Sequence, residues 1–223
     1  VGRVEIYGYS DDNKITATRG DVHVEGGLGS DTITTGLGDD TIYTNAAIDD
    51  RYDQEDNSVN NIVRAGSGND TIYGSKGMDE IYGEDDDDTI YGKDGDDKLD
   101  GGKGNNWIFA GKGSDTININ ADSAYTNHIY THKDSKDGED RDDFSNENHV
   151  TITQGYSFLS TSHSYIYGGR GKDVVTITGG VSTINLGDGN NVVTIKDSNG
   201  SNNITTGSGN DTINIIGEKD VNE

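Results

Sequence analysis

From Ala65 to Asn118 one aliphatic residue returns every nine positions, at Ile72, Ile81, Ile90, Leu99, Ile108 and Ile117. The six residues that open each unit are mostly glycine, acids, amides, serine and lysine. A spacing of nine fits neither the 3.6-residue period of a helix nor sustained alternation along a strand. It does fit a three-residue strand, in which the middle side chain faces one way and its two neighbours the other. Position eight of each unit is therefore core, positions seven and nine face outward, and the six residues before them turn the chain. Two units make one coil with a turn on each edge. The pattern predicts an all-β fold, a parallel β-roll or right-handed β-helix solenoid.

The six units of this block read AGSGNDTIY, GSKGMDEIY, GEDDDDTIY, GKDGDDKLD, GGKGNNWIF and AGKGSDTIN. Upstream, GGLGSDTIT from Gly26 and TGLGDDTIY from Thr35 keep the register, and the units from Gly8 and Ala17 keep only Ile15 and Val24. Downstream come GGRGKDVVT from Gly168, LGDGNNVVT from Leu186, DSNGSNNIT from Asp197 and TGSGNDTIN from Thr206. One elongated roll results, with a first segment at 1–43, an insertion at 44–64, the regular block at 65–118, an irregular segment with a charged loop at 119–167, a degenerate C-terminal roll at 168–216 and a tail at 217–223.

Composition narrows the picture. The chain has 33 glycines and no proline, as tight turns and an unbroken strand ladder require. A formal net charge of -24 excludes nucleic acid as a natural partner and opposes docking on an anionic membrane. No apolar run is long enough for a transmembrane segment. Cysteine is absent, so neither disulfides nor thiolate metal sites contribute. The chain opens at Val1 with no visible signal peptide, as expected of a piece of a longer polypeptide.

Acids recur at position six, and residues eighteen apart stack on the same edge one strand spacing, about 4.8 Å, apart. Asp70 should thus face Asp88, Asp79 face Asp97, Asp88 face Asn106, and Asp97 face Asp115. Two carboxylates so placed repel by about 4 kcal/mol at an effective dielectric of 20, and a divalent cation reverses the sign. Calcium suits the site, because it takes six to eight oxygens at flexible distances. Magnesium needs a tighter octahedron, and zinc prefers nitrogen and sulfur. One aliphatic side chain per strand makes a thin core, so the ion should act as a folding ligand. Without it, low hydrophobicity and high charge favour disorder.

The repeat resembles the nonapeptide G-G-x-G-x-D-x-U-x of RTX (repeats-in-toxin) proteins, the haemolysin-type calcium-binding repeat. The resemblance implies several Ca2+ ions between stacked turns. By position the side-chain ligands would be Asp31, Asp40, Asp70, Asp79, Asp88, Asp97, Asn106, Asp115, Asp173, Asn191 and Asp211, and the carbonyl ligands Gly66, Gly68, Gly77, Gly95, Gly104 and Gly113. It further implies a secreted, extracellular or cell-surface module of a bacterial toxin or large adhesin, exported unfolded by a type I secretion exporter and not an enzyme. Departures mark weaker sites: Asp86 stands where the family has glycine, Asn106 replaces the acid, and Ser182, Asn191 and Asn202 hold position six near the C-terminus.

Other features are read more plainly. The charged segment 131–147 fails the calcium-loop pattern of EF-hands, since Lys133 and Ser135 sit where ligands are needed, and reads as a solvated loop. His128 and His132 are four apart in a β-rich stretch, where that spacing does not make a zinc pair. Tyr73, Tyr82, Tyr91 and Trp107 should face outward and offer a surface to a host-cell glycan or to ice, although such residues also simply suit exposed strands. Trp107 and Phe109 flank the core Ile108 and should lie under a loop or another segment. His149, His163 and Arg170 are scattered candidates for a polysaccharide lyase or epimerase site.

Overall fold

The computed structural model describes residues 3–45, 59–121, 125–132, 147–154, 162–196 and 201–217, and these form twenty β-strands and no helix. In chain order they are β1 (Val4–Tyr7), β2 (Lys14–Thr16), β3 (Val22–Glu25), β4 (Thr32–Thr34), β5 (Thr41–Tyr43), β6 (Ile62–Ser67) and β7 (Thr71–Tyr73). Then come β8 (Glu80–Asp85), β9 (Thr89–Asp94), β10 (Lys98–Asp100), β11 (Trp107–Lys112), β12 (Thr116–Ala121), β13 (Thr126–Tyr130) and β14 (Glu147–Gln154). The last are β15 (His163–Tyr167), β16 (Lys172–Thr178), β17 (Val181–Asn185), β18 (Val192–Lys196), β19 (Asn203–Thr205) and β20 (Thr212–Ile216).

Odd-numbered strands make one parallel sheet of ten and even-numbered strands the other. The chain therefore changes sheet at every turn, as a β-roll requires. Ile72, Ile90 and Ile108 pair in register on one sheet, and Ile81, Leu99 and Ile117 on the other. All six are fully buried at 0% exposure, so position eight is core.

The same columns run through both irregular segments. Ile33 pairs with Val63, Ile42 with Ile72, Ile108 with Ile129, and Ile117 with Val150. A one-residue slip would turn every aliphatic side chain outward, so the register survives where extra residues intervene. The start of β6 and all of β13, β14 and β15 accordingly lie within 44–64 and 119–167.

After residue 118 the core thickens. Ile119, Ile152, Ile177 and Ile195 form a second buried column beside Ile117, Val150, Val175 and Val193. In the coil before, that place is held by Gly101, against which the Ile119 side chain packs. Each added Ile contributes about 1.5–3 kcal/mol of burial, in the part of the chain where position-six acids become scarce.

The outer face of the odd-strand sheet is an aromatic column: His23, Tyr43, Tyr73, Tyr91, Phe109, Tyr130 and Tyr167, with successive ring centroids 4.6–5.5 Å apart. Trp107, His128 and Tyr165 make a shorter column beside it. Phe109 is only 1% exposed, and its cover is the column itself, with Tyr91 and Tyr130 each at 5.0 Å. The segment expected over Phe109 is thus supplied by neighbouring strands of the same sheet, and the half-buried Trp107 stacks on His128. Tyr82 lies on the other sheet, beneath the Arg64 guanidinium at 4.2 Å.

Candidate metal centre

Position six folds inward beneath its turn. Asp31, Asp40, Asp70, Asp79, Asp88, Asp97, Asn106, Asp115, Asp173 and Asn191 are each at most 2% exposed, and Asp211 is half-buried. The reason is local: each side chain takes over a main-chain donor that the short strand leaves unpaired. On one edge Asp40 Oδ1 accepts the Val22 N–H at 2.8 Å, Asp70 that of Asp40 at 2.7 Å, Asp88 that of Asp70 at 2.9 Å, and Asn106 that of Asp88 at 2.8 Å. On the other, Asp97 Oδ1 accepts the Asp79 N–H at 2.8 Å and Asp115 that of Asp97 at 2.9 Å. The four pairs expected to stack in the regular block are thus brought together.

The second oxygen is different. Oδ2 of Asp31, Asp40, Asp70, Asp88, Asp97, Asp115 and Asp173 is buried without a hydrogen-bond partner. Burial raises the carboxyl of Asp70 to about 7, Asp88 to about 8, Asp97 to about 9, Asp115 to about 7 and Asp173 to about 7. Stacked charges add to the effect: Asp40 on Asp70, Asp70 on Asp88, and Asp115 on Asp97. A buried acceptor left bare is unfavourable, and a row of them calls for a cation or for protons.

Main-chain oxygens stand beside these carboxylates. A Cβ placed on Gly66 would lie 2.2 Å from the Gly36 carbonyl oxygen, on Gly68 2.1 Å from Gly38, on Gly95 2.2 Å from Gly77, on Gly104 2.0 Å from Asp86, and on Gly113 1.8 Å from Gly95. Turn carbonyls therefore face the next coil across a gap that only glycine leaves open. Asp86 takes the same left-handed backbone, φ 83°, so the missing glycine there does not alter the turn. Among the described residues no three His, Cys, Asp or Glu side chains converge. A cation held here must complete its shell with carbonyl oxygens, the habit of calcium.

The ladder also contains amides from the irregular segments. Asn61 Oδ1 accepts the Asp31 N–H at 2.8 Å, Asn127 that of Asn106 at 3.1 Å, and Asn148 that of Asp115 at 2.8 Å. Asn148-His-Val-Thr carries the amide, x, aliphatic, x signature but out of phase with the nines around it, whereas Asn61-Ile-Val-Arg lies one repeat before Asp70 and keeps the phase of the regular block. Toward the C-terminus the ladder runs from Asp173 to Asn191 to Asp211, both steps at 2.9 Å. There Asn191 Nδ2 donates to the Thr206 carbonyl at 3.0 Å. The amide thus saturates an oxygen of the kind a cation would otherwise hold.

The histidines do not pair. His128 stacks outside on Trp107 at 4.0 Å, whereas His132 is buried, its Nδ1 2.8 Å from Thr131 Oγ1, which in turn donates to Asp173 at 3.0 Å. His149 lies by Glu147 on the even-strand sheet and His163 by Thr183 on the odd-strand sheet, so they share no groove. Residues 133–146, most of the charged segment, lie outside the described residues.

A two-sheet parallel roll whose glycine turns bury stacked acids beside carbonyl oxygens is a cation-binding β-solenoid. Residues 7–42, 57–90, 82–117 and 194–214 match the RTX calcium-binding nonapeptide repeat in four copies. The matches cover more than half of the chain, which belongs to that family. Curated proteins give no match. Among the described residues no helix is long and apolar enough to cross a membrane.

Proposed function

We propose that this chain is a calcium-responsive folding module of a secreted bacterial protein, a toxin or a large adhesin, and that its role is non-catalytic. It stays unfolded in the low-calcium cytosol, leaves through a type I exporter and becomes a roll outside the cell. The observation that supports this reading is the row of buried carboxylates whose Oδ2 atoms have no partner. In the calcium-free chain each must be desolvated bare or protonated, and both are unfavourable at neutral pH. A calcium ion supplies charge to two carboxylates and several carbonyls at once.

Asp70, Asp88, Asp97 and Asp115 would supply the carboxylates, and the carbonyls of Gly66, Gly68, Gly95, Gly104 and Gly113 the remaining oxygens. Extracellular modules bind calcium with Kd of about 10⁻⁴–10⁻³ M, a range that suits a switch between cytosol and exterior. Past residue 118, the amide ladder and doubled core replace much of this need, so few strong ions are expected there.

A calcium titration followed by far-ultraviolet circular dichroism tests the proposal. The chain should pass from largely disordered to β-rich at about millimolar calcium, and magnesium should substitute poorly. A chelated sample with an unchanged spectrum would defeat it.

A further inference from the structure

One rung of the acid ladder is built differently. At Asp79 both carboxylate oxygens are already occupied: Oδ1 accepts the Asn61 main-chain N–H at 2.9 Å and Asn61 Nδ2 at 2.8 Å. Oδ2 accepts the Ser75 N–H at 2.6 Å and the Ser75 hydroxyl at 3.0 Å. Ser75 Oγ is itself held by Asn61 Nδ2 and the Gly77 N–H, each at 3.2 Å. Asp79 is consequently missing from the buried oxygens without a partner, although its neighbours Asp70, Asp88 and Asp97 are all among them.

The backbone agrees. The turns before Asp70, Asp88, Asp97, Asn106 and Asp115 each hold two left-handed residues: Gly66 and Gly68, Glu84 and Asp86, Lys93 and Gly95, Gly102 and Gly104, Gly111 and Gly113. In the turn from Gly74 to Asp79 neither Ser75 nor Gly77 is left-handed. Ser75 replaces the second glycine of the repeat, and the turn folds its donors onto its own carboxylate. Hydrogens from Ser75 and Asn61 point at Asp79 where a cation would have to sit. The positive charge of Lys93, a half-buried residue in the next turn on that edge, also acts on Asp79.

Resting on the calcium reading above, we propose that Asp79 is a metal-free rung, its oxygens satisfied by donors from Ser75 and Asn61, and that ions on this edge are held without its carboxylate. Its sequence position alone would make it a ligand equal to Asp88 or Asp97. A rung that is complete without calcium gives the middle of the roll one junction that does not depend on the ion.

Native mass spectrometry of the whole chain during a calcium titration tests this. Asp79→Asn should keep the wild-type number of ions and a calcium midpoint within about twofold, whereas Asp97→Asn should lose at least one ion and shift the midpoint by tenfold or more, the equivalent of about 1.4 kcal/mol. Should Asp79→Asn fail to fold, Ser75→Gly combined with Asn61→Asp, which restores glycine and acid to the repeat, should gain one ion. Loss of an ion in Asp79→Asn, or an unchanged count in the double variant, overturns the assignment. A wild-type chain that takes up no calcium overturns the calcium reading, and this assignment with it.

Discussion

Replacing Asp97 with Asn should act in opposite directions with and without calcium. Asp97 is 2% exposed, its Oδ1 accepts the Asp79 N–H, and its Oδ2 is bare. Burial and then the Asp115 charge raise its carboxyl from 3.8 to about 9. At pH 7 the calcium-free fold must therefore hold it protonated while the unfolded chain leaves it ionised, at a cost of about 4 kcal/mol. Asn is a neutral isostere, and Asn106 already shows one seated in the ladder at 0% exposure. Without calcium, Asp97→Asn should stabilise the roll by up to about 4 kcal/mol, a shift of roughly 2 M in the urea midpoint at a slope of about 2 kcal/mol/M. With calcium it should weaken folding, because a ligand charge is gone. Urea transitions read by circular dichroism in chelator and in excess calcium check both signs. If the calcium-free chain has no transition to follow, a gain of β signal in the variant is the equivalent readout. A variant less stable than wild type under both conditions would refute the argument, since the carboxylate would then be favourable even without its ion.

Three further outcomes follow from the same geometry. Asp70, Asp88, Asp97, Asp115 and Asp173 bind protons more tightly folded than unfolded. Calcium-free stability should therefore be fully present below about pH 4 and be lost as pH rises through about 7–9, and because protons compete for the same carboxylates, the stability that calcium adds should shrink as pH falls over that range; a pH series of thermal melts with and without chelator reads both. Ile90→Ala should cost about 2–5 kcal/mol as a core truncation. Tyr91→Ala should cost about 1–3 kcal/mol, since Tyr91 stacks on both Tyr73 at 4.8 Å and Phe109 at 5.0 Å and each aromatic pair contributes about 0.5–1.5 kcal/mol; a costlier Tyr91 change in matched urea melts would reverse inside and outside. Gly113→Ala should raise the calcium midpoint sharply, because its Cβ would lie 1.8 Å from the Gly95 carbonyl oxygen, whereas Gly217→Ala meets nothing within 4 Å and should leave the titration unchanged.

The aromatic column bears on recognition of sugars. Tyr43, Tyr73 and Tyr91 lie nearly parallel, tilted by only 4–6°, so their faces cover one another and their edges meet solvent. A pyranose stacks on ring faces, and along the middle of this column those are already covered. Parallel in-register strands impose this, because identical positions repeat at the spacing of stacked rings.

How much the sequence decided depends on whether the physics involved is local. Strand and turn positions, the core residues Ile72 to Ile117, the inward acids of the regular block and the glycine turns all follow from a nine-residue period, because each unit meets only copies of itself. Tertiary structure decided what the period does not encode. Asn127 and Asn148 join the ladder although their spacing is irregular, since register is set by the aliphatic columns across coils and not by chain distance. Asp79 repeats the motif as faithfully as Asp97, yet Ser75 and Asn61 close around it. Whether a buried carboxylate needs an ion depends on which donors reach it from neighbouring turns, and those contacts exist only once the coils have stacked.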